Sequence, residues 1–169
     1  MARFDITTVG ITGGVNRYRV AASATRGYAG EPVMITPTYT SGISDVNTIV
    51  VVTDAKPTIG TDEFVGLLTR DMQVNSAGTV LAGYERVETP IPYCTRIRGK
   101  AKTAANIDTQ SELTGVMFDL TVFDLTSSAY TIDAGGAADT GGLMIVDGSI
   151  TRQTVDCYVD SRTMRSDVA

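Results

Sequence analysis

Catalytic chemistry has few candidate residues in this chain, because the sequence contains no histidine. Every Ser-His or Cys-His nucleophile pair is thereby missing, as is the commonest general base. The one motif with a catalytic spacing is Asp139-Thr140-Gly141, since aspartic proteases use two such aspartates and a homodimer could supply the second. Gly135, Gly136 and Gly142 surround this motif and favour a plain glycine-rich turn instead. We therefore expect no catalytic site and no enzyme activity.

Metal and redox sites are also poorly represented. The acidic residues form no D-x-[DN]-x-[DN]-G ladder, so solvated carboxylates are favoured over a calcium site. Cys94 and Cys157 lie far apart and match no metal-ligand spacing. We interpret them as buried free thiols, with a disulfide between them as the alternative. The sequence predicts no metal and no cofactor.

A basic stripe follows Pro90 and Pro92, which fix φ and remove two hydrogen-bond donors, as is typical of a sheet edge. Strand side chains alternate between faces, so the strand predicted after Pro92 separates two sets of residues. Tyr93, Thr95 and Ile97 share one face, and Cys94, Arg96, Arg98, Lys100 and Lys102 share the other. This basic face either keeps an edge strand from aggregating or docks against an acidic surface.

Charge is unevenly distributed along the chain, whose net charge is −5. Residues 1–30 carry four arginines against one aspartate, a net charge of +3. Residues 103–151 contain seven acidic residues and no lysine or arginine. A basic beginning and an acidic body favour head-to-tail or lattice association. Nucleic acid is a less favoured partner, because the acidic body would repel phosphates.

Residues 1–30 are predicted to form an extended N-terminal arm, because glycines interrupt short apolar groups without a helical period. Such a segment buries too little surface to order itself and would fold against a partner. Arg17 and Arg19 flank Tyr18, so an extended chain places both arginines on one face and the ring on the other. The alternative is that this segment forms a first pair of strands.

Residues 31–169 are predicted to form a single β-rich domain. A chain of 169 residues can bury one sizeable core, and no apolar run is long enough to span a bilayer. We expect neither a secretion signal nor a membrane partner. Strands are predicted near residues 32–36, 46–53, 64–70, 80–84, 93–102, 116–125, 130–133, 143–146 and 154–160. The fold class is therefore mainly β, an antiparallel β-barrel or sandwich.

Three local patterns refine this prediction. Thr109-Gln110-Ser111-Glu112 has the form of a capping box, so at most one short helix begins near Thr109. Phe123 breaks the alternation that runs through Val122, which predicts a bulge or a crossing between sheets there. The last strand is predicted to face the core with Val155, Cys157 and Val159 and the solvent with Asp156, Tyr158 and Asp160.

Diffuse β patterns between Gly30 and Asp160 resemble one family. The segments are residues 105–113, 118–126, 129–133, 142–146 and 154–159, with Gly30-Glu31-Pro32-Val33 and Phe64-Val65-Gly66-Leu67 in the first half. Together they are similar to the head decoration (cement) proteins of tailed bacteriophages. The resemblance implies a β-rich structural protein on the outer capsid surface of the virion. It would be made in the host cytoplasm, clamp neighbouring major capsid subunits and contact copies of itself, with a trimer as one possibility.

The basic residues supply the docking hypothesis that follows from this resemblance. Candidate capsid-docking residues are Arg3, Arg17, Tyr18, Arg19, Arg26, Arg96, Arg98 and Lys100. Two other classes stay open: another assembly subunit of a tail, fibre or pilus, and a carboxylate-dependent hydrolase.

Overall fold

The computed structural model describes residues 6–35, 48–52, 63–108, 120–121, 123–126, 129–133 and 141–164. Within these ranges the protein is mainly β and its sheets are antiparallel, as the sequence predicts. Of the two predicted architectures, the sandwich fits and a closed barrel does not. The strands are β1 (Thr7–Val9), β2 (Thr12–Val20), β3 (Pro32–Ile35), β4 (Ile49–Val51), β5 (Glu63–Leu68), β6 (Gly83–Pro90), β7 (Arg96–Lys100), β8 (Leu120–Thr121), β9 (Phe123–Thr126), β10 (Ala129–Ile132), β11 (Leu143–Ser149) and β12 (Thr154–Val159).

The strands form two large sheets and one hairpin. The first sheet has the order β1-β7-β12-β11-β8, and the second has the order β2-β6-β5-β3-β4. Strands β9 and β10 pair with each other. Because β8 belongs to the first sheet and β9 to the hairpin, the chain changes sheets near Val122, which confirms the predicted crossing.

Helical structure in the described ranges is limited to two 3-10 turns, Ala104–Ile107 and Ser161–Thr163. The capping box predicted at Thr109 lies outside the described residues. No helix of the described chain has both the length and the apolar character needed to cross a membrane.

The beginning of the chain belongs to the sheets, which corrects the prediction of a free arm for its described part. Strand β1 pairs with β7, and β2 pairs with β6 along most of its length. Ile6 and Val20 are each only 4% exposed, so the segment does bury surface of its own. The structure thus corresponds to the alternative, a first pair of strands. The hydroxyl of Thr8 also donates to Glu88 Oε2 at 2.7 Å, which connects the two sheets.

Two apolar cores lie on opposite sides of β5. Phe64 and Leu67 join the core that also contains Ile97 and Ile145 of the first sheet. Val65 and Leu68 join a second core, with Val20, Val33, Ile35, Ile49, Met72, Val80 and Val87. Strand β5 is therefore covered on both faces, which explains its nearly continuous apolar sequence.

Gly66 is the point at which β5 changes its pairing. Its φ is +142°, and a Cβ there would collide with the backbone carbonyl oxygen of Glu88. The register between β5 and β3 shifts beside it, between Val33 and Met34. A glycine is required because no larger residue accepts both this φ and this close approach of β6.

The second sheet curves until its two outer strands meet at one end. An isolated parallel bridge joins Arg19 of β2 to Thr48, directly before β4. This curvature encloses the second core and leaves one face of β2 and β6 turned outward.

Candidate docking face

The basic stripe on β7 lies inside the first sheet and not at its edge, which corrects one part of the prediction. Strand β7 is flanked by β1 and β12. The predicted alternation holds from Arg96 to Lys100, because Ile97 is buried whereas Arg96, Arg98 and Lys100 are half-buried. Edge protection is therefore not the role of this charge.

Most of the stripe is occupied by carboxylates of the same chain. Arg98 Nε and Nη2 donate to the two oxygens of Asp156 at 2.6 and 2.7 Å. Arg96 Nη1 lies 3.5 Å from Asp147 Oδ2, and Lys102 Nζ lies 2.9 Å from Asp133 Oδ2. Carboxylates of the same chain therefore supply part of the acidic surface that this stripe was predicted to meet. The hydrogen bonds from Arg98 to Asp156, and then the charge of that carboxylate, raise the pKa of Arg98.

Two aspartates of the last strand region were predicted to face solvent and are buried instead. Asp156 and Asp160 are each 1% exposed. Arg162 covers Asp160 with Nε and Nη2 at 3.0 and 2.7 Å, and the Arg162 backbone N–H donates to the same carboxylate at 2.8 Å. These hydrogen bonds, with the Arg162 charge, hold the pKa of Asp160 below its ordinary value although burial opposes them. Strand alternation failed here because long arginine side chains reach back over the carboxylates.

The outward face of β2 and β6 carries the other predicted docking residues. Arg17 and Arg19 are exposed, whereas Tyr18 is half-buried and packs against the second core, which agrees with the predicted alternation. In the register of the sheet, Arg17 stands directly opposite Arg86 and Arg19 opposite Tyr84. We call the set Val15, Arg17, Arg19, Tyr84 and Arg86 the arginine face.

The arginine face places like charges side by side. The guanidinium of Arg17 lies 5.2 Å from the centroid of the Tyr84 ring. Within the described chain, neither Arg17 nor Arg86 has a carboxylate within ion-pair distance. The neighbouring carboxylate on the same face is that of Glu88, which stands opposite Val15, accepts a hydrogen bond from Thr8 and keeps its negative charge. Two arginines directly opposite each other repel, so this arrangement costs stability in the isolated protein.

Exposed apolar surface accompanies these charges. Val15 and Tyr84 are each 53% exposed, and Ile11, which precedes β2, is 77% exposed. Tyrosine and arginine are the residue types that most often anchor protein interfaces. In its residue types this face therefore resembles known protein interfaces.

A cleft of about 450 Å³ opens beside the arginine face. Its polar side includes Asn16, Arg17 and Thr89, and the side-chain nitrogen of Asn16 donates to the Thr89 hydroxyl at 3.0 Å. Its apolar side includes Phe64 and Val65. The other lining residues are Tyr18, Arg19, Ile35, Tyr84 and Met164. Phe64, Val65 and Ile35 are each at most 3% exposed, so the cleft offers a ligand little apolar surface.

The remaining candidates do not join this face. Arg26 lies over the Tyr28 ring at 4.9 Å and reaches Asp71 at 3.9 Å, so its charge has a partner. Lys100 Nζ donates to the backbone carbonyl of Arg152 at 2.6 Å. Arg3 lies outside the described residues.

Sequence reasoning missed Arg86 and did not include Tyr84 among the docking candidates, although the two complete the arginine face. The predicted strand 80–84 ended at Tyr84, whereas β6 continues through Arg86. Alternation along β6 could have shown that Tyr84 and Arg86 share a face. Their position opposite Arg19 and Arg17 depends on the register between β2 and β6, which no local pattern contains.

The structure locates candidate metal ligands and thiols only within the described ranges. No group of three or more His, Cys, Asp or Glu side chains there could hold a metal ion. Asp139 lies outside those ranges, so the protease motif is not placed. Both cysteines are free, which excludes the disulfide alternative. Cys157 is buried as predicted, but Cys94 is exposed, because it lies in the turn before β7 and not within the strand.

Compared with models of known protein families and with curated proteins, the chain matches none of them.

Proposed function

We propose that this protein is a structural component of a phage head, which binds the outer surface of the capsid and stabilises contacts between major capsid subunits. The proposal combines the family resemblance of residues 30–160 with the β-sandwich fold. Its role is binding, and we assign it no catalytic residues and no cofactor.

The observation that carries the proposal is the arginine face. Arg17 stands directly opposite Arg86, and the exposed Val15 and Tyr84 belong to the neighbouring pairs of the register. An arrangement that costs stability in the free chain is accounted for if a partner covers it. Arginine hydrogen bonds to carboxylates contribute about 1.5–3 kcal/mol each where water is excluded, enough to offset the repulsion.

The basic stripe on β7 contributes less to docking in this proposal. Arg98 already donates to both oxygens of Asp156, so a partner would have to break that pair before using it. The docking hypothesis therefore shifts from Arg96, Arg98 and Lys100 to the arginine face.

A second candidate function is another assembly subunit, from a tail, fibre or pilus. The same face would serve in that case, since it requires only a protein partner. The site of attachment distinguishes the two: a decoration protein binds closed heads, and a tail or fibre subunit does not.

The test is rebinding to particles. Purified protein is mixed with heads from which it has been removed and the heads are pelleted. We expect stoichiometric, saturable recovery in the pellet and raised resistance of the heads to heat or chelators. Recovery with isolated tails and not with heads would replace the proposal by the second candidate, and no recovery with either would overturn both.

A further inference from the structure

The described beginning of the chain is attached to the rest of the molecule at the margins of both sheets. Strand β1 stands at one end of the first sheet beside β7, and β2 stands at one end of the second sheet beside β6. Within residues 6–20, which we call the strap, only Ile6 and Val20 at the two ends are buried. The strap is therefore held mainly by strand pairing, because few of its side chains enter a core.

The chain is firmly attached again from Gly27 onward. The Gly27 N–H donates to Met72 Sδ at 3.3 Å, its carbonyl accepts from the Met72 N–H at 2.9 Å, and a Cβ there would collide with the Leu68 side chain. Residues 21–26, which we call the hinge, belong to no strand, and most of their side chains are exposed. Any movement of the strap relative to the body would therefore take place in the hinge.

The hinge contains a residue with a strained backbone. Ser23 has a φ of +61°, in the left-handed region that residues other than glycine and asparagine rarely adopt. In this turn the Ser23 N–H donates to the Val80 carbonyl at 3.0 Å and the Ala24 N–H to the Ala21 carbonyl at 3.4 Å. An extended hinge would release the strain at Ser23 at the cost of these two hydrogen bonds.

We propose that the strap is exchanged between two copies of this chain, so that β1 and β2 of one copy pair with β7 and β6 of the other. The contacts between strap and body are the same within one copy and between two copies. The balance between the two arrangements therefore depends on the hinge and on the protein concentration. When extended, the hinge spans about 20 Å, which lets the strap leave its own body.

The occupant of the vacated position is a second copy, because the margins of β6 and β7 are complementary to an identical strap. That complementarity includes the buried positions of Ile6 and Val20 and the hydrogen bond from Thr8 to Glu88. The inference concerns the protein by itself and does not rest on the proposed function.

The first test detects the strap of one chain on the body of another. Arg17 stands directly opposite Arg86, and opposed residues of antiparallel strands are close enough for a disulfide. One chain carries Arg17→Cys and an isotope-labelled chain carries Arg86→Cys, both with Cys94→Ser because Cys94 is exposed. The chains are unfolded together, refolded and oxidised. We expect a covalent dimer with one chain of each kind, in an amount that rises with the protein concentration during refolding.

Two controls accompany the crosslinking. Arg152→Cys, in the exposed turn between β11 and β12, takes the place of Arg86→Cys and should give no mixed dimer above background. The double variant Arg17→Cys/Arg86→Cys should close its disulfide within a monomer when it is refolded at low concentration, which shows that the geometry permits the bond.

The second test alters the hinge and measures monomer and dimer fractions by sedimentation velocity. Ser23→Val places a β-branched residue at a φ of +61° and should raise the dimerisation constant by roughly fivefold or more. Ser23→Asn should lower it, because asparagine tolerates the left-handed region. Thr25→Val is the matched control, since Thr25 lies in the hinge without a positive φ, and it should leave the dimer fraction unchanged.

The outcomes are as follows. A wild type that stays monomeric at every concentration, or no mixed dimer although the double variant closes its disulfide, overturns the inference. If the double variant does not close it, the hinge variants decide, and equal dimer fractions in wild type, Ser23→Val and Ser23→Asn overturn the inference. Should Ser23→Val fail to fold, the comparison of wild type with Ser23→Asn decides. Dimers without mixed crosslinks that do not respond to Ser23 replace exchange by association through an outer surface. Binding to heads is not a readout, so failure of this inference and failure of the proposed function are separate results.

Discussion

Arg98 and Asp156 face each other across β7 and β12, with two hydrogen bonds of 2.6 and 2.7 Å between the guanidinium group and the carboxylate. The Asp156 side chain is 1% exposed, and that of Arg98 is 39% exposed. A charge with so little exposure is tolerated because its partner supplies both hydrogen bonds. Arg98, which was predicted to dock against a partner, therefore stabilises the pairing of β7 and β12 within the first sheet.

Removing Arg98 should destabilise the protein. Arg98→Ala leaves the buried carboxylate of Asp156 with Arg96, 3.8 Å away, as its one cationic neighbour among the described residues. We expect the free energy of unfolding to fall by about 1–3 kcal/mol, less than for a fully buried pair because Arg98 is partly solvated. Urea denaturation measures the change. Lys100→Ala, on the same face of the same strand, should cost under about 0.5 kcal/mol, and equal losses in the two variants would refute this role of Arg98.

The Arg162–Asp160 pair should make stability depend on acid pH. Hydrogen bonds from Arg162 lower the pKa of Asp160 below its ordinary 3.8, so the folded state favours the ionised carboxylate. Its contribution is complete well above that pKa and is lost as the pH falls below 3.8 through the lowered value. The melting temperatures of wild type and Arg162→Ala should therefore differ at neutral pH and converge as the pH falls below 3.8 through the lowered pKa of Asp160. A difference that stays constant over this range would contradict the account.

Gly66 should not accept a side chain. Gly66→Ala combines a φ of +142° with a collision at the Glu88 carbonyl, and we expect a loss of about 3 kcal/mol or more. Gly83→Ala is the matched control, because a Cβ there meets nothing within 4 Å and Gly83 has no positive φ. Thermal melting of both variants decides the point. A wild-type melting temperature for Gly66→Ala would mean that β5 and β6 do not approach each other as described.

The two thiols should differ in reactivity. Cys94 is exposed, whereas Cys157 is fully buried and burial raises the pKa of its thiol, with Asp156 adding to the effect. A disulfide reagent should modify Cys94 quickly in the native protein and Cys157 only after denaturation. Cys94→Ser should abolish the fast phase. If both thiols react quickly in the native protein, or neither does, the exposure described for one of the cysteines is wrong.

Periodicity sufficed for much of the fold because alternation reports which residues face a core. Val155, Cys157 and Val159 were assigned to the interior correctly, and the crossing near Val122 followed from a break in phase. The burial of Asp156 and Asp160 was not predictable, since it depends on arginines that come from another strand or from beyond the strand end.

The remaining features could not be predicted from the sequence because they depend on pairing between distant segments. The beginning of the chain looked like a free arm because its own apolar residues are few. Its order comes from β6 and β7, which lie far along the sequence. The register between β2 and β6 also brings Arg86 opposite Arg17. The sequence could therefore predict the residues that β2 contributes to the candidate site, but not those of β6.

The most direct measurement is a cryo-electron microscopy reconstruction of heads with the wild-type protein bound. Our account predicts protein density on the outer capsid surface, with β2 and β6 turned toward the capsid and acidic residues of the capsid subunit beside Arg17 and Arg86. Heads mixed with Arg17→Glu/Arg86→Glu should lack that density, and heads mixed with Arg152→Glu should keep it. Bare heads with wild-type protein, or density in which β7 faces the capsid and the arginine face points to solvent, would contradict it.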